Sequence, residues 1–417
     1  MHFKCLCSPL KPINHPSSII KEFQVESMFK ILTLNNISVQ GLQRLPRENY
    51  EVASEISHPD AIMVRSFKMH DMEIPNSVAA IGRAGAGVNN IPVASMTERG
   101  VPVFNAPGAN ANAVKELVLT GLLMASRNVS QAMEFASSLS GTDSEISVAV
   151  ESGKKNFVGS ELPSKTLGVI GLGAIGLRVA NAALSLGMEV VGYDPLISVQ
   201  SAWQLSSGVQ QALSIDHLFS QCDCVSVHVP LIDATKGLVS GERIKMMPKG
   251  GILVNLARGG ICDEAAVVAA LDSGHLHSYV CDFPSGSMLE HKKVLAFPHL
   301  GASTNEAEEN CAVMVADSLR DYLEDGTVRN SVNFPEAIMP RNGGSRITIA
   351  NANVPNMVGQ ISTILANAGL NIADLLNKSK GEIAYTIIDL DGGIDEATLD
   401  LIRGTKGVLA LRHLPAK

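Results

Sequence analysis

Short, continuous apolar runs alternate with stretches of helical spacing along most of this chain. Phe29-Lys-Ile-Leu-Thr-Leu34, Ala61-Ile-Met-Val-Arg65, Ala79-Ala-Ile-Gly82 and Val101-Pro-Val-Phe104 have the pattern of strands covered on both faces. Residues 113–127 read as a long apolar helix, and residues 137–160 as a polar, Ser-rich stretch with no clear period. From Thr166 the rhythm returns in Thr166-Leu-Gly-Val-Ile170, Glu189-Val-Val-Gly-Tyr193, Cys224-Val-Ser-Val-His228, Gly251-Ile-Leu-Val-Asn255, Ser278-Tyr-Val-Cys-Asp282 and Val294-Leu-Ala-Phe297. Helices are predicted between them over 177–186 and over 263–273, the latter stopped by Gly274. The capping box Ser303-Thr-Asn-Glu306 opens another that runs to about Asp325 and Gly326. Such alternation predicts an α/β chain with two doubly wound parallel sheets.

The pattern changes after residues 327–343, whose Pro335, Pro340 and Gly343-Gly344 read as a linker. Strands over 346–350, 370–377, 383–389 and 408–412, with helices over 357–368 and 395–403, give a βαββαβ unit across 343–417. That order predicts an antiparallel sheet with helices on one face, small enough to call for a partner copy. At the other end, residues 1–27 hold Pro9, Pro12 and Pro16 and no apolar stretch of the kind a secretory signal needs, so a disordered leader is expected there.

Composition narrows the function classes. With 33 basic against 41 acidic residues the formal charge is −8, and no basic stripe exists to neutralise a nucleic-acid backbone. The longest apolar stretch, residues 117–125, falls far short of the roughly 18–20 residues that span a bilayer. Neither Cys5/Cys7 nor Cys222/Cys224, each pair one residue apart, has metal-ligand spacing, so no metal site is expected. Cys224, Cys262 and Cys281 lie in apolar runs as small core residues, and a reduced, cytoplasmic setting is expected.

The most specific signal is Gly171-Leu-Gly173-Ala-Ile-Gly176, placed after a strand and before a helix. A pyrophosphate needs close backbone approach and a helix N-terminus, and an adenosine ribose needs a carboxylate for its hydroxyls. Asp194 ends the next strand, eighteen residues beyond Gly176, and no Arg follows in Pro195-Leu-Ile-Ser198 to receive a 2′-phosphate. The cofactor expected is therefore NAD in a Rossmann-like domain. Asp194, His228, Arg258, Asp282 and His299 all fall at or just after strand ends, where ligands of such sheets bind. His299 is suited to take a hydroxyl proton, and Arg258 to grip a carboxylate with its rigid fork.

Four motifs in order, Gly82-Arg-Ala-Gly-Ala-Gly-Val-Asn-Asn90, the Gly171–Gly176 turn, Asn255-Leu-Ala-Arg-Gly-Gly260 and Pro298-His-Leu-Gly-Ala-Ser-Thr304, resemble the D-2-hydroxyacid dehydrogenase family over roughly residues 28–335. The resemblance implies catalysis by Arg258 and His299, and NAD contacts from Gly171, Gly173, Ala174, Ile175, Gly176, Asp194, Pro230, Leu256, Ala257, Asp282, Leu300, Gly301 and Ala302. It implies substrate contacts from Arg65, as a phosphate ligand, and from Gly87 and Asn89. It assigns residues 28–127 with 304–335 to a substrate-binding domain and 128–303 to the NAD-binding domain. Gly301-Ala-Ser-Thr304 and the appended unit narrow it to members that oxidise D-3-phosphoglycerate to 3-phosphohydroxypyruvate in the first step of serine synthesis. Two departures stand out. The Phe-x-x-Glu-Pro stretch that supplies an acid to the histidine is shortened to Asp282-Phe-Pro-Ser-Gly-Ser-Met-Leu-Glu290, leaving Glu290 as a candidate partner, and Lys115 replaces a small residue near the nicotinamide.

The 343–417 unit resembles an ACT domain, with Asn353-Val-Pro355 and Asn371-Ile372 matching its ligand loop and Asn351 standing where a histidine is common. The resemblance implies either an amino-acid effector held near Asn351, Asn353 and Asn371 or a purely structural pairing of copies, in a homodimer or homotetramer. Two rival functions stay open: a glycerate- or glyoxylate-type dehydrogenase with Arg65 idle, and a non-catalytic NAD- and amino-acid-binding sensor that would need neither Arg258 nor His299.

Overall fold

A computed structural model of the protein describes residues 28–416; the expected leader, with Cys5 and Cys7, lies outside the described residues. The first sheet has five parallel strands in the order Tyr50–Ala53, Phe29–Leu34, Ala61–Val64, Ala80–Arg83 and Val103–Phe104. Its central strand, Ala61–Val64, is buried along its whole length, which is why that run carries no polar alternation. The helix Asn305–Asp325 returns late in the chain to cover this sheet, adding Ala312, Val315 and Leu319 to the core around Ile31, Met63 and Phe104.

The second sheet has seven parallel strands, ordered Val294–Ala296, Leu276–Cys281, Gly251–Asn255, Cys224–Val227, Thr166–Ile170, Glu189–Tyr193 and Gln210–Gln211. Strand order reverses between Thr166–Ile170 and Cys224–Val227, and a crevice must open there beyond their carboxyl ends. The helix Ala111–Ser126 packs Val114, Val118 and Leu122 onto this sheet, against Val169, Val254 and Val280.

The third sheet is antiparallel, ordered Ile372–Lys380, Ile383–Leu390, Ser345–Ala352 and Val408–Leu414. Alternation along its inner strands divides two faces. Ile347, Ile349, Ile388 and Leu390 meet the helices Met357–Asn367 and Glu396–Arg403, while Ala350, Tyr385 and Ile387 join the core of the first sheet. One fully buried ion pair, Arg346 with Asp389, sits on that second face between residues in register.

Three expectations need correction. Residues 137–160 are not an irregular stretch: the helix Val129–Ser138 runs into them and Asp143–Gly153 follows, the latter opened by a capping box of Thr142 and Glu145. The helix Asn305–Asp325 is capped by Thr304 rather than Ser303, with the Thr304 hydroxyl accepting from the Ala307 N–H at 3.1 Å. Residues 327–343 are no loose linker, because Phe334, Ala337 and Met339 are buried in the first core and Val328 pairs with Ala337. Cys224, Cys262 and Cys281 are buried and unpaired, as are Cys222 and Cys311. Among the described residues no helix is long and apolar enough to cross a membrane.

Candidate active site

The crevice begins with the turn that follows Thr166–Ile170. Gly171 adopts φ +88°, in the left-handed region that favours glycine, and the helix Gly176–Ser185 starts five residues later. A side chain built at Gly173 would meet nothing within 4 Å, so the backbone there faces open space in front of a helix N-terminus. That is the cradle a pyrophosphate requires, and the residues present fit NAD. Asp194 is held at its edge by N–H donors from Leu172 (2.8 Å) and Leu196 (2.9 Å). Ala174 lies against Gly108, and Ile175 is partly buried in the core beneath the turn.

Across the crevice the loops after the other strands converge. His228 follows Cys224–Val227; its Nε2 lies 2.8 Å from the Ser226 hydroxyl, and burial pushes the imidazole down to about 4. Pro230 is exposed two residues on. Asn255, buried at the end of its strand, accepts from the Ala257 N–H and donates to the Arg258 carbonyl at 2.8 Å. This folds Leu256 inward and presents Arg258 outward, where one nitrogen donates to the Ala257 carbonyl at 2.8 Å.

Asp282 serves the histidine loop. Fully buried, it accepts from the N–H groups of Leu300 (2.7 Å) and Gly301 (2.9 Å), while its own carbonyl accepts from the His299 N–H at 3.2 Å. These bonds hold His299 at φ +57°, a left-handed conformation that costs a histidine about 1–3 kcal/mol. Such strain persists where surrounding structure over-determines it, and here it accompanies an imidazole left exposed beside Phe283. A Cβ on Gly301 would stand 3.0 Å from the Asp282 carboxylate, so a glycine lets the carboxylate close in. Leu300 is exposed at the same edge, with Ala302 half-buried behind it.

The first sheet contributes a cluster of positive charge. Arg65 follows Ala61–Val64 and pairs with Glu308, near the start of Asn305–Asp325. Arg83 ends Ala80–Arg83, and Gly85 gives it room, because a Cβ there would fall 1.5 Å from the Arg83 guanidinium. The buried Nε of Arg83 finds no hydrogen-bond partner among the described residues. Burial lowers the Arg83 guanidinium from its ordinary value, and the nearby positive charges of Arg65 and Arg258 lower it further. Gly87 stands where a Cβ would lie 3.6 Å from both the Arg258 guanidinium and the Asn89 side-chain oxygen. Arg83 and Arg258 thus lie beside the loop of Gly85 and Gly87, with Arg65 near Arg83, and Phe283 links Arg258 to the exposed imidazole of His299.

Sequence reasoning missed Arg83, although it lies inside a motif already recognised; its local signal is an arginine followed two residues later by a glycine that makes room for it. Phe283 was missed as well. Its ring centroid lies 4.6 Å from that of the His299 imidazole, and 5.5 Å from the guanidinium carbon of Arg258. Among the described histidines only His291 pairs with a carboxylate, Asp272 at 3.3 Å, so Glu290 is not brought to His299. Lys115 donates to Asn112 at 2.7 Å and faces the helix Gly176–Ser185. In the third sheet Asn351 and Asn353 line one small cavity, whereas Asn371 lies apart from it and donates to Asp391. The Asn351 and Asn353 amides already donate to the carbonyls of Ala352 and Gly381.

Comparison with known proteins agrees with this geometry. Residues 119–301 match the NAD-binding domain of the D-isomer specific 2-hydroxyacid dehydrogenases. D-3-phosphoglycerate dehydrogenase of Haemophilus influenzae is 33% identical over 356 residues, covering 82% of this chain and 83% of that one. The enzyme of the same name from Methanocaldococcus jannaschii is 35% identical over 82% of this chain, which spans 63% of that longer protein. Among solved structures, the NAD+-bound 3-phosphoglycerate dehydrogenase of Entamoeba histolytica covers 73% of this chain at 27% identity with a TM-score of 0.56. The apo D-mandelate dehydrogenase of Rhodotorula graminis shares the fold, with a TM-score of 0.63 at 23% identity. A crevice built for NAD, an outward arginine and histidine at its mouth, and these relatives lead to one conclusion: the chain belongs to the D-isomer specific 2-hydroxyacid dehydrogenase family.

Proposed function

We propose that this chain oxidises D-3-phosphoglycerate to 3-phosphohydroxypyruvate with NAD, the entry step of L-serine synthesis. The observation that carries the reading is the grouping of Arg65 and Arg258 around Arg83, with Phe283 against both Arg258 and His299. A substrate with a carboxylate at one end and a phosphate at the other calls for cationic groups at two points, and Arg65, Arg83 and Arg258 supply them, with Glu308 the carboxylate paired to Arg65. The spare nitrogens of Arg258 grip the carboxylate and draw electron density from C2. Arg83 takes the phosphate together with its neighbour Arg65. His299 accepts the hydroxyl proton. NAD, when bound, provides the acceptor for the C2 hydride. A D-glycerate-type substrate would leave Arg65 and Arg83 without a role.

On this reading residues 28–127 with 304–335 form the substrate side, less the helix Ala111–Ser126, which packs with 128–303 on the NAD side, and 343–417 form an ACT-like regulatory unit. A homodimer or homotetramer in the cytoplasm goes with it, with an amino acid as effector near Asn351 and Asn353. The exposed apolar Leu123 and Met133, on neighbouring helices, support contact between copies.

Purified protein is expected to reduce NAD with D-3-phosphoglycerate, and His299→Ala to lower turnover by about two to four orders of magnitude. Greater activity with D-glycerate than with the phosphorylated acid would overturn the substrate; parental activity in His299→Ala would overturn the mechanism.

A further inference from the structure

His299 poses a problem of orientation. Its backbone is strained, its side chain stands exposed, and its imidazole makes no ion pair with any described residue. The shortened segment after Asp282 brings no carboxylate to hold the ring. The aromatic neighbour that does reach it is Phe283, with ring planes tilted by 51° at a centroid separation of 4.6 Å. The same ring carries the Arg258 guanidinium carbon at 5.5 Å. Phe283 directly follows buried Asp282, which anchors the His299 loop, and its Cβ lies 3.6 Å from where a Cβ on Gly259, next to Arg258, would be.

We infer that Phe283 is a positioning residue that sets the spacing between Arg258 and His299 and holds the imidazole where a carboxylate partner is absent. The inference rests on the dehydrogenase reading above. Its chemical basis is that the carboxylate and hydroxyl of a 2-hydroxy acid sit on adjacent carbons. The groups that grip them must therefore be held at one separation, and a rigid ring between the two side chains does so without competing for either hydrogen bond. An aromatic ring, unlike a carboxylate, adds no charge to stabilise the imidazolium, so its contribution is geometric.

Phe283→Leu keeps a similar apolar volume and removes the aromatic face; Phe283→Tyr keeps the face. In Phe283→Leu, kcat/KM for the hydroxy acid is expected to fall about tenfold, the combined scale of one aromatic pair and one cation–π interaction, with KM for NAD and the melting temperature unchanged. Phe283→Tyr is expected to stay near parental activity. NMR of the His299 ring supplies a readout independent of turnover: its carbon-bound protons should lose their ring-current shift in Phe283→Leu and keep it in Phe283→Tyr. Unchanged His299 resonances in Phe283→Leu would overturn the inference even if no hydroxy acid is turned over, whereas inactivity of the parent toward every hydroxy acid would overturn only the dehydrogenase reading. Equal kcat/KM in the Leu variant and an active parent, or a Tyr variant as impaired as Leu, would also refute it.

Discussion

The two ends of the helix Asn305–Asp325 are both surrounded by arginines, and the arginines are used in opposite ways. At its C-terminal end the carbonyls of Tyr322 and Leu323 accept from Arg412, each at 2.8 Å, that of Glu324 from Arg341 at 3.2 Å, and that of Asp325 from Arg346 at 2.9 Å. The Tyr322 carbonyl also accepts from the Gly326 N–H at 2.9 Å; those of Leu323, Glu324 and Asp325 are carbonyls a helix leaves without an internal partner, and side chains of the third sheet and of the stretch leading to it satisfy them. Arg346 commits all five N–H groups: two to Asp389 and one each to the carbonyls of Asp325, Met339 and Pro340. Near the N-terminal end, Arg65 pairs with Glu308 but Arg83 keeps a buried nitrogen unpaired, and Arg258 donates only to the carbonyl of Ala257. An arginine filled by its own protein is a fastening. A buried, unpaired Nε is common to Arg83 and Arg341, so what sets the N-terminal end apart is the grouping of Arg83 with Arg65 and Arg258, where the paired carboxylate is Glu308.

The contrast is broken most severely at the filled end. Arg346→Met should cost about 3–5 kcal/mol of folding stability, since it strands Asp389 as a buried charge. Adding Asp389→Leu should restore much of that loss. Denaturant titration of the single and double variants checks both, and a single-variant cost below about 1 kcal/mol would show that the filled end fastens nothing.

A milder case of a satisfied polar group is His228, bonded to Ser226 behind the NAD crevice. Burial pushes its imidazole from 6.5 down to about 4. The unfolded chain therefore takes up a proton as the pH drops past 6.5, while the folded chain resists until about 4. Its contribution to stability is complete above 6.5 and is lost on the way down to about 4. Between about pH 7.5 and pH 5 the parent should lose more stability than His228→Gln. Equal losses in the two proteins would contradict the assignment.

The same distinction explains what the sequence made legible. The turn at Gly171 and Gly173 and the backbone-held carboxylate of Asp194 are local features, so spacing alone made their geometry legible. Arg83 carries only the weak local signal of Gly85 two residues on, and Phe283 meets Arg258 and His299 from other loops, a convergence that no short-range pattern marks. The helices at 129–138 and 143–153 escaped for a different reason. Val129–Ser138 buries no residue and Asp143–Gly153 buries only Gly153, so neither has an apolar stripe to give a period. The one usable signal was Thr142 three residues before Glu145. Pro335, Pro340 and the Gly343-Gly344 pair read as a flexible linker, yet Phe334 and Met339 turn inward and pin residues 327–343 to the first core.

The most direct test compares kcat/KM for D-3-phosphoglycerate with that for D-glycerate, in the parent and in Arg83→Met. The parent should prefer the phosphorylated acid. The variant should lose about ten- to a hundredfold of that preference, the scale of a hydrogen bond to a charged group, while melting no lower than the parent. A preference left intact by the substitution, or a parent that favours D-glycerate, would contradict the account.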